Sequence, residues 1–179
     1  MLSLVFQLLG GWVYGHFMEY AVHRWFLHGV MKKRGSLFSF HFFQHHKNSR
    51  LNKFKDSDYE RPLEFGNAAN KELISLGFLS ILHAPVAYYF PWFFIASILS
   101  IGSYYYHHYR AHKNPVWARK HLRCHFDHHM GKNQDSNYGV RSDFFDRLFG
   151  TRENYSAEKR DRYEKIIKLH ARYEKRRKK

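Results

Sequence analysis

Residues 73–112 read LISLGFLSILHAPVAYYFPWFFIASILSIGSYYYHHYRAH, an uncharged stretch that runs into a histidine pair. From Leu73 to Tyr106 no side chain carries a formal charge. One straight helix of about 34 residues would measure roughly 51 Å, far more than a hydrocarbon core of about 30 Å. The stretch therefore predicts two helices, over about residues 73–90 and 92–110, inserted partly or just fully across a bilayer. Phe90-Pro91-Trp92 is the expected break, because proline removes a backbone donor and disfavours the helical conformation in the residue before it. His108 and His112, four apart, share a helix face at the end of the second arm.

Outward from that hairpin, residues 2–22 are mostly apolar and long enough to span a membrane. Gln7, His16 and Glu19 interrupt the run and mark the side turned toward other helices, since polar groups are costly against lipid. The sequence has no basic residue before Arg24, whereas a cleavable signal opens with positive charge, so the expectation is a retained anchor. Basic residues flank the apolar blocks: Lys32, Lys33 and Arg34 after the first, and Arg110, Lys113, Arg119, Lys120 and Arg123 after the hairpin. The positive-inside rule puts both segments in the cytoplasm. The expected fold is all-α: an integral membrane helical domain over residues 1–154 with a cytoplasmic-face helical cap. A basic C-terminal helix and tail over residues 155–179 completes it.

The chain has 179 residues, 30 Lys and Arg against 15 Asp and Glu, and a formal charge of +15. That charge invites a nucleic-acid reading. No nucleic-acid motif accompanies it, and the basic residues border apolar runs, where anionic headgroups attract them at about 1 kcal/mol each. A chain of this length suits one domain without a separate electron-transfer module, so electrons are expected from a partner. With Cys124 as the single cysteine, an intrachain disulfide and a thiolate zinc ribbon are excluded.

Most of the fifteen histidines fall into four clusters: His23 and His28; His41, His45 and His46; His108 and His112; His125, His128 and His129. Neutral imidazole is the commonest side-chain ligand for transition metals. His41 and His45 share a helix face, as do His125, His128 and His129, because offsets of three and four bring side chains together. His23 and His28, five apart, stand about 140° apart on a regular helix and converge only if it ends or distorts, with Gly29 as the expected terminator. Any single pair could be an interfacial polar pair. Four clusters on one side of the membrane make a two-metal site the better reading. His16, His107 and His170 read as bystanders. His83 and His121 stay open, and Cys124 reads as a spectator thiol with a minor role as metal neighbour left open.

Glu19-Tyr-Ala-Val-His23-Arg-Trp-Phe-Leu-His28-Gly29, His41 to His46, His108-Tyr-Arg-Ala-His112 and the segment Asn137 to Thr151 together resemble the fatty acid hydroxylase and sterol desaturase superfamily of membrane di-iron oxygenases. The resemblance implies that the ten clustered histidines hold two iron ions, replaceable by zinc in isolated protein. It also implies that dioxygen oxidises an unactivated lipid C–H bond to an alcohol, or on to an alkene. Glu19, Asp127 and Asp135 are the expected outer carboxylates. The expected partners are a lipid substrate, the membrane and an external donor, a cytochrome b-type protein or a ferredoxin with its reductase. The expected location is the cytoplasmic membrane of a bacterium or the endoplasmic reticulum of a eukaryote. Three residues between His108 and His112 favour the fatty acyl or sterol branch over carotenoid hydroxylases. A catalytically silent protein with a structural zinc site is the reading from another class. Phe42, Phe43, Tyr104 to Tyr106 and Phe126 suit either a lipid tunnel or a membrane interface.

Overall fold

The computed structural model describes residues 2–61, 64, 66–155 and 165. The expected C-terminal helix and tail, with His170, lie outside the described residues apart from Tyr155 and Lys165. Among the described residues every regular element is helical.

Two long helices, α1 (Leu2–Ala21) and α5 (Pro91–Lys113), pack side by side. Small residues set their separation: Gly15 lies so close to α5 that a Cβ would run into the Ser100 side chain. Further along, Ser97 Oγ donates to the Gly11 carbonyl at 3.3 Å. At the cap end, Glu19 accepts from the backbone N–H of Val140 at 2.6 Å and of Arg141 at 3.0 Å, and from Arg141 Nε at 2.6 Å. Arg141 also donates to the Ser100 carbonyl at 2.9 Å. This ion pair, whose side chains are almost wholly buried, ties α1, α5 and the segment around Val140 to one point.

The uncharged stretch has two breaks instead of one. The first helix of the hairpin, α3 (Ala68–His83), is capped by Asn67, whose side chain accepts from Asn70 N at 2.7 Å, and it stops before Pro85. A single turn, α4 (Val86–Tyr89), follows, and Pro91 opens α5 at a position where its missing N–H costs no helical bond.

No helix among the described residues is long and apolar enough to cross a membrane. This corrects the expectation of spanning helices. α1 has the length but is diluted by Gln7, His16, Glu19 and its glycines. α3 has 16 residues, and the last third of α5 is tyrosine, histidine, arginine and lysine apart from Ala111. What these helices do show is a bare apolar exterior, with Phe6, Val13, Phe78, Ile81, Leu82 and Phe90 exposed.

The cap consists of α2 (Lys47–Leu51), α6 (Pro115–His121), α7 (Arg123–Met130) and α8 (Phe144–Leu148). Asn114 caps α6 by accepting from Trp117 N at 3.0 Å, and Pro115 begins it. The packed core of Phe54, Ala111, Ala118, Leu122, Phe126, Met130 and Val140 joins α7 to the end of α5. Phe126, stacked on Phe54 at 4.9 Å, belongs to this core.

Candidate metal centre

Two π-helical turns, Val22–Leu27 and His41–His46, build half of the site. In a π turn the hydrogen bond spans five residues, as in His28 N–H to His23 O at 3.0 Å, so residues five apart come one above the other. The His23 and His28 rings lie 5.0 Å apart and the His41 and His46 rings 4.9 Å. The distortion that His23 and His28 required is thus a wider turn. Gly29 serves it by close approach, because a Cβ there would run into the Trp25 carbonyl.

The histidines gather into two adjacent groups, His23, His28, His41, His46 and His128 in one, and His45, His108, His112 and His129 in the other. His125 stands beside the second, its Nε2 3.1 Å from His112 Nε2. The His46 and His129 rings stack at 4.3 Å, so the groups share a wall. The pairing His41–His45 on one face is corrected: the π turn sends His41 and His46 to the first group and His45 to the second. Likewise α7 divides its histidines, with His128 in the first group and His129 in the second.

Seven of the ten rings are held from outside. His23 Nδ1–H donates to the Tyr138 carbonyl at 2.6 Å, His128 to Ser136 O at 2.7 Å and His112 to Phe54 O at 2.9 Å. Carboxylates hold others: Asp135 takes His28 Nδ1–H at 3.1 Å, Asp56 that of His45 at 2.8 Å, and Glu72 that of His108 at 2.7 Å. With the proton on Nδ1, the Nε2 lone pair points inward. Backbone strain accompanies this grip. The non-glycine residues with positive φ among those described are Lys53, Phe54 and Asn137, and they carry or flank the three accepting carbonyls. Such conformations cost on the order of 1–3 kcal/mol each and persist where the surroundings enforce them.

The inner nitrogens test whether a metal fits. Nε2 atoms face each other at 3.1 Å in the pairs His23–His41, His28–His46 and His46–His128. With the outer Nδ1 of His23, His28 and His128 committed as donors, each of these rings presents an inward lone pair to its partner. His45 Nε2 and both His129 ring nitrogens are buried without a hydrogen-bond partner. Unpaired buried imidazole nitrogens in one cluster, one acceptor per neutral ring, are what a cation satisfies, and an all-imidazole set suits iron, zinc, copper or nickel. Burial, reinforced by the neighbouring rings, pushes His41, His46, His125 and His129 well below the ordinary histidine value of 6.5, so all are neutral and ligand-ready at pH 7. Asp135 is pulled down to about 2 by its hydrogen bond from His28 and by Lys32.

His46 is the exception among the held rings. Gln134 lies between His46 Nδ1, 3.1 Å away, and Arg50, whose Nη1 and Nε are 2.9 and 3.0 Å from the same amide. Ligation through Nε2 needs the amide oxygen on His46, while Arg50 needs it turned the other way.

A cavity of about 610 Å³ opens beside the groups, between α1, the first π turn, α3 and α5. His23, His41 and His45 line it, together with Leu76, Leu79 and Leu82 of α3. Tyr104 lines it too. Phe42 instead stacks on the outer side of His46 at 5.4 Å.

The other expectations divide. Glu19 touches none of the clustered rings, because the π turn delivers His23 to Tyr138 and Glu19 to Arg141. Asp127 faces Arg152 at 3.5 Å. Of the three expected outer carboxylates, Asp135 takes a clustered ring, that of His28. Asp56 and Glu72 were not read from sequence, although Glu72 ends the charge-free run on its N-terminal side. His83 accepts from Tyr14 Oη at 2.7 Å, its other nitrogen donating to Leu79 O at 2.7 Å. His121 is exposed and stacks on Trp117 at 5.3 Å, outside both groups, as are His16 and His107. Buried Cys124 points to Asp146 at 3.5 Å, and burial raises its thiol.

The sequence model of the family described as fatty acid hydroxylase matches residues 8–151. No curated protein and no solved structure matches the chain at a significant level.

Proposed function

Since the chain belongs to the fatty acid hydroxylase family, whose members are lipid hydroxylases and desaturases, we propose that it is a di-iron oxygenase that hydroxylates or desaturates a fatty acyl or sterol-like lipid with dioxygen. The observation that carries this reading is the apolar cavity lined by rings of both histidine groups. A structural zinc site has no use for such a cavity.

His23, His28, His41, His46 and His128 would hold one iron, and His45, His108, His112 and His129, with His125 beside them, the other. Iron bound there supplies the activation of dioxygen and the removal of hydrogen from carbon. The protein does the rest. Neutral rings contribute no negative charge, so Asp56, Glu72 and Asp135 offset the metals from outside and keep each Nδ1 proton in place. Tyr59 and Tyr104 both donate to Glu72 at 2.7 Å, which fixes its carboxylate on His108. The cavity walls of Met18, Val22, Leu76 and Leu79 exclude water and leave a lipid chain one end to present to the metals.

The exposed apolar side chains of α1, α3 and α5 support attachment to a bilayer, since soluble proteins rarely leave patches of that extent bare. The basic cap then faces the cytoplasm, the side favoured by positive charge, and an external carrier supplies the electrons.

The test is direct. Purified protein should carry two irons per chain, consume oxygen with reductant and lipid, and yield lipid heavier by one oxygen or lighter by two hydrogens by mass spectrometry. His128→Ala and His112→Ala should each lower iron content and abolish turnover. Tight, redox-inert zinc with no lipid oxidation after iron reconstitution would defeat the proposal.

A further inference from the structure

The two histidine groups differ in how they meet solvent. Behind the second, Asp56 is fully buried and Glu72 is 11 % exposed. Behind the first, the Asp135 side chain is 50 % exposed, with the fully buried His28 ring directly beneath it. Lys32 donates to both Asp135 oxygens at 2.7 Å and lies 4.4 Å over the Phe42 ring, which itself stacks on His46. At this place a single layer of side chains separates two rings of the first group from water.

The rim of that thin place is basic. Gln134, next to Asp135, meets Arg50, which also donates to the carbonyls of His129 at 2.6 Å and Gly131 at 3.0 Å. Lys47 stands one helical turn before Arg50 on α2, Lys132 follows Gly131, and Lys33 and Arg34 follow Lys32. All four of these outer cations are exposed. The acids in the patch, Asp135 and Glu153, are engaged by Lys32 and by Asn133.

We propose that this surface docks an acidic one-electron carrier protein and that electrons enter the first group there, through His28 and His46. The inference rests on the oxygenase reading above. In each encounter one carrier is oxidised by one electron and one ferric ion becomes ferrous, so two encounters reduce the pair and no covalent bond changes. Complementary charge accelerates such encounters and makes them sensitive to salt. Lipid headgroups would also meet a basic rim, but they have no need of a cover one side chain thick over the rings. The coincidence of the two favours a redox protein.

The experiment uses the iron-loaded full chain, mixed anaerobically with a reduced acidic [2Fe–2S] ferredoxin or a reduced acidic cytochrome b-type protein, with carrier oxidation followed by stopped flow. Dithionite serves as the small reductant. For the double variant Lys47→Glu/Lys132→Glu, the rate with carrier should fall about tenfold or more at low salt. Iron content, melting temperature and the dithionite rate should stay at parental values, and Lys113→Glu, at the end of α5, should behave as the parent. The proposal is overturned if the double variant keeps the parental carrier rate, including when it loses only its binding to phosphatidylglycerol vesicles. It is also overturned if dithionite reduces the parent and neither carrier does, an outcome that leaves the oxygenase reading standing. A chain that binds no reducible iron sinks both.

Discussion

Asp56 and Asp135 perform the same service for the two groups from opposite surroundings, one sealed in the protein and one half in water. Asp56 also accepts from Asp58 N at 3.1 Å and Asn48 at 3.3 Å, and although burial opposes its charge, the hydrogen bond from His45 keeps it below the usual carboxylate range. Asp56→Asn should weaken metal binding about 10–100-fold, the ordinary effect of losing an outer carboxylate, as read by competition with a chelator. Gln134→Glu should do the reverse. A carboxylate accepts from His46 Nδ1–H and Arg50 together, ending the competition for one amide oxygen, and metal affinity should rise by roughly tenfold. Unchanged affinity would mean that the Gln134 amide already serves His46. At this scale the ligand types were legible, because clustered histidine is a local signal. Their outer partners were largely not. The carbonyls of Phe54, Ser136 and Tyr138 belong to no residue type, and Glu19, well placed on a regular helix, is taken by Arg141 instead.

The helix turns that carry the ligands depart from the regular period at two places, where paired ligand histidines stand five apart. An α-helical reading pairs His41 with His45 and separates His23 from His28; the π turns reverse both. Periodicity assumes 3.6 residues per turn, so a locally wider turn is invisible to it. Gly29→Ala tests the first π turn. Its Cβ would press on the Trp25 carbonyl, backbone that cannot step aside, at a cost of about 1–3 kcal/mol. A melt should fall by roughly 2–4 °C for each kcal/mol lost. Gly77→Ala in α3, where a Cβ meets open space, should instead stabilise by about 1 kcal/mol. Equal behaviour of the two variants would remove the argument for Gly29. The breaks at Pro85 and Pro91 were partly legible: Pro91 ends a helix by its own chemistry, whereas the end of α3 at His83 depended on weighing Pro85 as well.

Across the molecule, many buried neutral histidines link stability to pH. The ordinary value is 6.5, and burial holds His23, His41, His46, His125, His128 and His129 well below it in the folded chain. As pH falls through 6.5 the unfolded chain takes up protons that the folded chain refuses, so the unfolded state binds more and stability falls. Each such histidine contributes about 1.4 kcal/mol per pH unit in that window. The metal-free protein should therefore lose melting temperature steeply between about pH 6.5 and 5. A flat profile in thermal melts would show that these rings are not buried as neutral groups. The all-helical fold and the gathering of the clusters were legible from apolar runs and spacing, but bilayer-spanning length was overread, because lack of charge is not the same as hydrophobicity in a stretch rich in tyrosine, serine and glycine.

The cavity beside the site also has a consequence in time. α3 meets it along Glu72, Leu76, Leu79 and Leu82 and reaches α1 at its far end through the Tyr14–His83 hydrogen bond. One flank of that helix thus lacks the packing that holds α1 against α5. Local opening is easiest where few buried contacts must be broken. In heavy water, the amides in the middle of α3 should exchange for deuterium ahead of those in α1 and α5, and an occupant of the cavity should slow that clock.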